Sequence, residues 1–345
     1  MFDRHERIGD AMRYRYLIAW ITLLIMPTVL SRASETSDDE SLSSDRSAGQ
    51  ESVSGNSAAI EIESKFLGEA GWARFRLAGG RIELDPMRYR KGDKRCRSDS
   101  HHEHISISTQ KGIPTVCYQY EDEYQRIHVT AEHGHLLRIE SVLAATGESA
   151  ILIQETNEPI VWKIRVHAGR EHVLDQELTI DTWMHLLGRD PSGFEIHLER
   201  IVRAMLSGVD LFDLSLRTEE RLVRQLPNEE PVTEPRISAL IDRLASPIYR
   251  VRRAATIELT RIGYPSIPLL RQRVREQRLD AEQMARITKL LGRTINGNDD
   301  TPASLASMLS LDRAHWEILA SRFDHEVWIA ANAHLRRCGL TPMTR

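Results

Sequence analysis

Between Ala58 and Ile180, apolar residues arrive in short runs that alternate with polar ones. Ile105 and Ile107 alternate with serines, and Val116, Tyr118 and Tyr120 share one side of the next run. Ile127 and Val129 follow, then Leu137 and Ile139, Ile151 and Ile153, and Trp162, Ile164 and Val166. A period of two marks a strand with one buried side. The breaks between runs carry turn residues, among them Gln110-Lys111-Gly112, Glu132-His133-Gly134 and Asn157-Glu158-Pro159. Such short spacings predict antiparallel hairpins joined into a β-meander with one face in the core. Upstream, Trp72, Phe75 and Leu77 predict a strand, and Gly79-Gly80 a turn into Ile82 and Leu84.

After Thr182 the period lengthens. Trp183, Leu186 and Leu187 sit at helical spacing, and Asp190-Pro191 reads as a cap and first turn. Phe194, Leu198, Ile201, Val202 and Met205 then make one apolar stripe. Residues 227–235, PNEEPVTEP, read as a linker. Beyond it, Ile248, Val251, Ala255, Leu259 and Ile262 fall on one helix face that Gly263 terminates. Val327, Ala331, Leu335 and Cys338 repeat the arrangement and end at Gly339. An offset of 76 residues lays Gly263 on Gly339, Val251 on Val327, Ala255 on Ala331 and Leu259 on Leu335. That is close to two periods of a helical repeat of about 40 residues.

The stretch SPIYRVRRAATIELTRIGYPSIPLL resembles a HEAT-type repeat, with an apolar first helix, a short turn, then V-R-x-x-A-A-x-x-L and a glycine. The second copy, DHEVWIAANAHLRRCG, lacks the first arginine. The resemblance covers the last third of the chain and implies a helical solenoid that binds a partner along one surface. The β-rich part resembles, more loosely, uncharacterised exported bacterial proteins, from which no functional residue carries over.

The expected fold class is therefore α+β and multidomain: an antiparallel β-meander domain at 58–180, a helical segment at 181–226, the linker at 227–235, and HEAT-like helical repeats at 236–345. Ahead of these, Arg4, Arg7, Arg13 and Arg15 precede an apolar run from Tyr16 to Leu30 and the small-residue site Ser31-Arg32-Ala33. This is the layout of a signal peptide over 1–33. The run is short for a bilayer-spanning helix, although an uncleaved membrane anchor is the alternative. Residues 34–57, rich in serine and acid, cannot bury enough apolar surface to order themselves and read as a disordered linker. The expected location is thus the periplasm, cell envelope or exterior.

A net charge of -4 over 345 residues implies no nucleic-acid partner for the whole chain. The candidate chemistry is sparse. Cys338 falls on a buried helix stripe and reads as a core hydrophobe. Cys96 and Cys117 lie in the β-rich part, where export would permit a disulfide. Closing that loop would contribute about 3 kcal/mol; the alternative is two free thiols. His101, His102 and His104 cluster before one strand, and His133 and His135 flank a later hairpin turn. His-x-His on a strand aims both rings to one side, as a zinc or copper site needs, but the spacing matches no strong metal motif and exposed polar histidines are the plainer reading. The acids Glu121-Asp122-Glu123 read as a solvated turn. No G-x-S-x-G, H-E-x-x-H or phosphate-loop pattern occurs. No catalytic residue and no cofactor is implied. Arg250, Arg252, Arg253, Arg271, Arg273 and Arg275 offer a basic face on the repeats. Its expected partner is a protein or an anionic envelope polymer; a solvated helix face is the alternative. The functional expectation is a non-enzymatic exported interaction protein, with a metal- or ligand-binding module or an enzyme sited in the β-rich part as the second reading.

Overall fold

The computed structural model describes residue 62 and residues 64–344, apart from 111, 169–171, 227–230, 277–278 and 296–298. The leader at 1–33 and the acidic segment at 34–57 lie outside the described residues. Among the described residues, ten strands come first. β1 (Ala73–Ala78) and β2 (Arg81–Tyr89) form a separate antiparallel hairpin. The other eight are β3 (Gly92–Arg97), β4 (His101–Gln110), β5 (Ile113–Asp122), β6 (Gln125–Glu132), β7 (Leu136–Leu143), β8 (Ser149–Glu155), β9 (Ile160–Ala168) and β10 (His172–Ile180). They make one antiparallel sheet in which every strand pairs with its neighbours in sequence. The expected meander is present, with one face buried through Ile105, Tyr118, Ile127, Ile139, Leu152 and Trp162. β3, for which the alternation gave no signal, is an edge strand whose Lys94, Arg95 and Arg97 are exposed. Charged side chains on an edge discourage pairing with other chains.

The phase of β8 differs from expectation. Ala150, Leu152 and Gln154 are buried, whereas Ile151 and Ile153 point to the opposite face. The run Ala150-Ile151-Leu152-Ile153 is apolar on both sides, so its own pattern does not select a face. Register does: Leu152 lies between Ile139 and Trp162, while Ile151 lies between Glu140 and Lys163.

Eleven α-helices follow among the described residues. α1 (Trp183–Arg189), α2 (Pro191–His197) and α3 (Glu199–Met205) are short and carry the predicted apolar stripe. Asp190 caps α2 and also accepts from the Trp162 indole at 2.8 Å, which joins the helix to the sheet. The rest are α4 (Leu211–Gln225), α5 (Glu234–Arg243), α6 (Tyr249–Ile262), α7 (Ile267–Arg275), α8 (Ala281–Ile295), α9 (Pro302–Leu309), α10 (Arg313–Leu319) and α11 (His325–Arg337). No helix among the described residues is long and apolar enough to cross a membrane. The described residues pack as one unit, with a core of buried side chains running from Ile62 to Met343.

The hairpin β1–β2 joins sheet to helices. Gly79 and Gly80 form its two-residue turn at φ 58° and 73°, the left-handed pair that glycine tolerates best. A Cβ on Gly80 would sit 2.9 Å from both Met308 and Thr182. All four polar main-chain atoms of the turn are taken up by the helical part. The Gly79 and Gly80 amides donate to the two carboxylate oxygens of Asp300 at 3.0 and 2.6 Å. The Gly79 carbonyl accepts from Arg271 Nη1 at 2.7 Å, and the Gly80 carbonyl from the Trp183 amide at 3.0 Å. Asp300 also accepts from the Tyr264 hydroxyl at 2.9 Å. On the sheet side, Gln154 brackets the Ile82 main chain, accepting from its amide at 3.3 Å and donating to its carbonyl at 2.7 Å. Buried Arg81 donates to the carbonyls of Asp181, Glu155 and Glu158.

Asp300→Ala strands three buried or half-buried donors at once. At roughly 1 kcal/mol or more for each unmet donor, the variant should lose about 3 kcal/mol of unfolding free energy. Urea titration checks this: the midpoint should fall while the slope stays constant.

Candidate functional site

Two surfaces carry residues singled out by the sequence. The first is the outer face of α6. Ile248, Tyr249 and Ile257 are 59%, 58% and 59% exposed, high values for such large apolar side chains. Ile248 was expected on the buried stripe. It is instead the residue at which α6 begins, in extended conformation, and only Ala255 and Leu259 of that stripe are fully buried. Arg250, Arg253 and Arg261 are exposed at helical spacing around Ile257, and none of the three makes an ion pair among the described residues. Arg252 plays a different part. Its Nη1 donates to the Ser246 and Pro247 carbonyls at 2.7 and 3.0 Å, and its guanidinium lies 6.0 Å from the Tyr249 ring centre. It braces the start of α6 and holds Tyr249.

The remaining arginines of the expected basic face point elsewhere. Arg271 is buried on α7 against Gly79, Arg273 pairs with Glu276, and Arg275 pairs with Asp181. The basic face is therefore Arg250, Arg253 and Arg261, with Arg252 at its root. Arg271 and Arg275 belong to the hairpin junction.

The histidines do not converge. His101 is buried, stacks on Tyr120 at 5.4 Å and shares its Nδ1 with the hydroxyls of Ser98 and Ser100. His102 and His104 face the other way; His102 is exposed and His104 meets Asp93 at 2.9 Å. His133 and His135 sit beyond the opposite end of β6, roughly 25 Å away at the usual strand rise. Among the described residues no group of three histidines, cysteines or carboxylates could hold a metal.

The Cys96–Cys117 disulfide is not formed, and all three cysteines are free. Cys96 lies opposite Glu103 on the buried side of β4, whereas Cys117 lies opposite Ser106 on its exposed side. Two strands flanking a third and aiming at opposite faces cannot be bridged without moving backbone. Cys338 is buried and its thiol is pushed up to about 11 by burial, as a core residue should be. Among the acids, Asp122 is no loose turn residue. It accepts from the Tyr124 and Gln125 amides and from Arg200 at 2.6 Å, which ties the β5–β6 turn to α3.

The second surface is a cleft of about 240 Å³ where β2, the β6–β7 turn, the end of β8 and α8 meet. Arg81 and Arg271 form its floor, His133 and His135 its rim. His133 Nδ1 lies 3.1 Å from the Leu84 carbonyl, so that nitrogen carries the proton. The floor was not foreseen. Arg81 follows a Gly-Gly turn and Arg271 lies in an arginine-rich helix, and nothing in the sequence brings the two together.

Two buried polar networks have catalytic composition without access. His197 contacts Ser141 and Glu148, each at 3.0 Å. The Ser141 hydroxyl is only 1% exposed with its residue and accepts from Gln125 at 2.6 Å, so the set locks β6 and β7 to α2. In the other, Thr182 meets His185 at 2.8 Å, His185 lies 3.4 Å from Asp312, and Asp312 caps α10 at the His315 amide. His315 is buried with neither ring nitrogen bonded. Burial, and then the charge of neighbouring His185, push its pKa down from 6.5 to about 3. Burial works against ionisation of Asp312, yet adjacent His185 and the His315 amide hold its carboxyl below the usual range.

Comparison of the chain with family models, with curated proteins and with solved structures found no match.

Thiol chemistry tests the cysteine assignment. Labelling of the folded protein should modify Cys117 first and Cys338 last, and the denatured, unreduced chain should take up three labels per molecule, read by mass spectrometry. His315 gives a pH dependence. Its folded pKa lies below that of the unfolded chain, so its neutral form is the one the fold favours. Its contribution is whole above about pH 6.5 and is lost as pH falls towards 3. Denaturation midpoints at pH 7.5 and 5 should therefore differ less in His315→Leu than in the parent chain.

Proposed function

We propose that this chain is an exported interaction protein whose helical region forms HEAT-like repeats and binds an acidic protein segment on the outer face of α6. The observation that carries the reading is the exposure of Ile248, Tyr249 and Ile257 beside Arg250, Arg253 and Arg261, which form no ion pair among the described residues. A monomer gains nothing by leaving three large apolar side chains in water on one helix. A partner that covers them and brings carboxylates to the arginines gains both apolar burial and charge complementarity. A simple polyanion would use the arginines and leave the apolar residues uncovered, so a protein segment is the better fit.

The repeat reading rests on the 76-residue offset and on its glycines. Gly263 and Gly339 end α6 and α11 at φ 70° and 79°, and each pair of helices, α5–α6 and α10–α11, precedes such a glycine. Export rests on the basic and apolar leader at 1–33. A second reading, a small-ligand module in the β-rich part, is favoured by the cleft beside His133 and His135.

A photo-crosslinking amino acid in place of Ile257, used in cells, tests the first reading. A single protein bearing an acidic segment should be captured, and Arg250→Glu with Arg253→Glu should reduce capture by roughly tenfold or more. Capture that ignores the charge reversals, or adducts with envelope polysaccharide alone, would overturn it.

A further inference from the structure

The cleft at the hairpin junction has a floor unlike the rest of the surface. Arg271 is 7% exposed, yet of its five N–H donors only one, on Nη1, meets an acceptor among the described residues, the Gly79 carbonyl. Its Nη2 lies close to the same turn, 3.1 Å from where a Gly79 Cβ would be. Arg81, beside it, is also buried, but its donors are committed to the carbonyls of Asp181, Glu155 and Glu158. Arg81 thus adds charge to the floor while Arg271 adds free donors as well.

Glu83, Asp181 and Asp300 lie near enough to support the charge of Arg271, but among the described residues none of them hydrogen-bonds to either guanidinium. Glu83 lies 3.7 Å from Arg76. Asp181 pairs with Arg275. Asp300 is filled by two glycine amides and the Tyr264 hydroxyl. Burial, and then the charge of Arg271, bring the Arg81 pKa down to about 9, against the opposing charges of Asp181 and Glu83. A buried guanidinium with free donors is costly unless an anion meets it.

We infer that the cleft is a binding site for a small carboxylate, held by the free fork of Arg271, with Arg81 supplying background charge. Volume favours a small ligand: 240 Å³ lies below the usual range of ligand pockets, roughly 300–1,000 Å³. The walls limit its charge. Glu83, Glu132 and Glu155 also line the cleft, so a dianion meets repulsion that a monoanion largely escapes. Thr156, Asn157 and Thr288 offer hydroxyl and amide groups to the ligand's other end. This site is independent of the α6 face, and neither reading requires the other.

The test is calorimetry on the full chain near pH 7 with acetate, with inorganic phosphate, and with chloride as the ionic-strength control. Acetate should bind saturably and more tightly than phosphate. Arg271→Lys keeps the charge and loses the planar fork, and should weaken acetate by roughly tenfold or more. Thr288→Trp, on the exposed wall of the cleft, should abolish binding by filling the mouth without touching the hairpin turn. It keeps the proposal testable if Arg271→Lys fails to fold. No saturable acetate binding, phosphate binding tighter than acetate, or acetate binding unchanged in the folded variants would each overturn the site.

Discussion

The fold hangs on a turn of two glycines. A β-hairpin normally leaves the polar atoms of its turn to water. Here the turn is driven into the helical part, where water cannot serve it, so every one of those atoms needs a protein partner. Asp300, Arg271 and Trp183 supply them. Those partners come from residues that follow the sheet, and Arg81 and Gln154 tie the same hairpin back to the sheet. The arginine pair, the cleft and the relative placement of sheet and helices all follow from satisfying this one loop.

Arginine serves two separate purposes in this chain. On α6 it stands in solvent beside exposed isoleucine and tyrosine, where it costs little and steers charge. At the hairpin it is buried, where main-chain carbonyls accept from all of the Arg81 guanidinium nitrogens and from one of those of Arg271. The arginine-rich run in the sequence gives no hint of this division. Helix phase decides it: Arg250 and Arg253 sit opposite Ala255 and Leu259, whereas Arg271 follows Leu269 and Leu270 into the core.

The meander and its buried face were legible where apolar residues alternate with polar ones, as at Ile105 and Ile107 in β4 and at Ile127 and Val129 in β6. β8 was not, because it is apolar on both sides and takes its phase from neighbours. The glycine turn and the helix stops at Gly263 and Gly339 were legible from residue type alone. The cleft was not, since Arg81 and Arg271 stand 190 residues apart and are joined only through Gly79. The absent disulfide has the same origin: Cys96 and Cys117 are near in sequence, but pairing registers place them on opposite sides of β4.

The eight-stranded sheet pairs only sequence neighbours, so it can form as the chain emerges. The hairpin cannot complete that way. The carboxylate that receives the Gly79 amide lies 221 residues downstream. Until that residue arrives, Phe75, Leu77 and Ile82 belong to a two-stranded piece too small to be stable alone. For an emerging chain the first strands to appear therefore stay unsecured through the synthesis of the whole sheet and most of the helices, until Asp300 arrives to take up their turn.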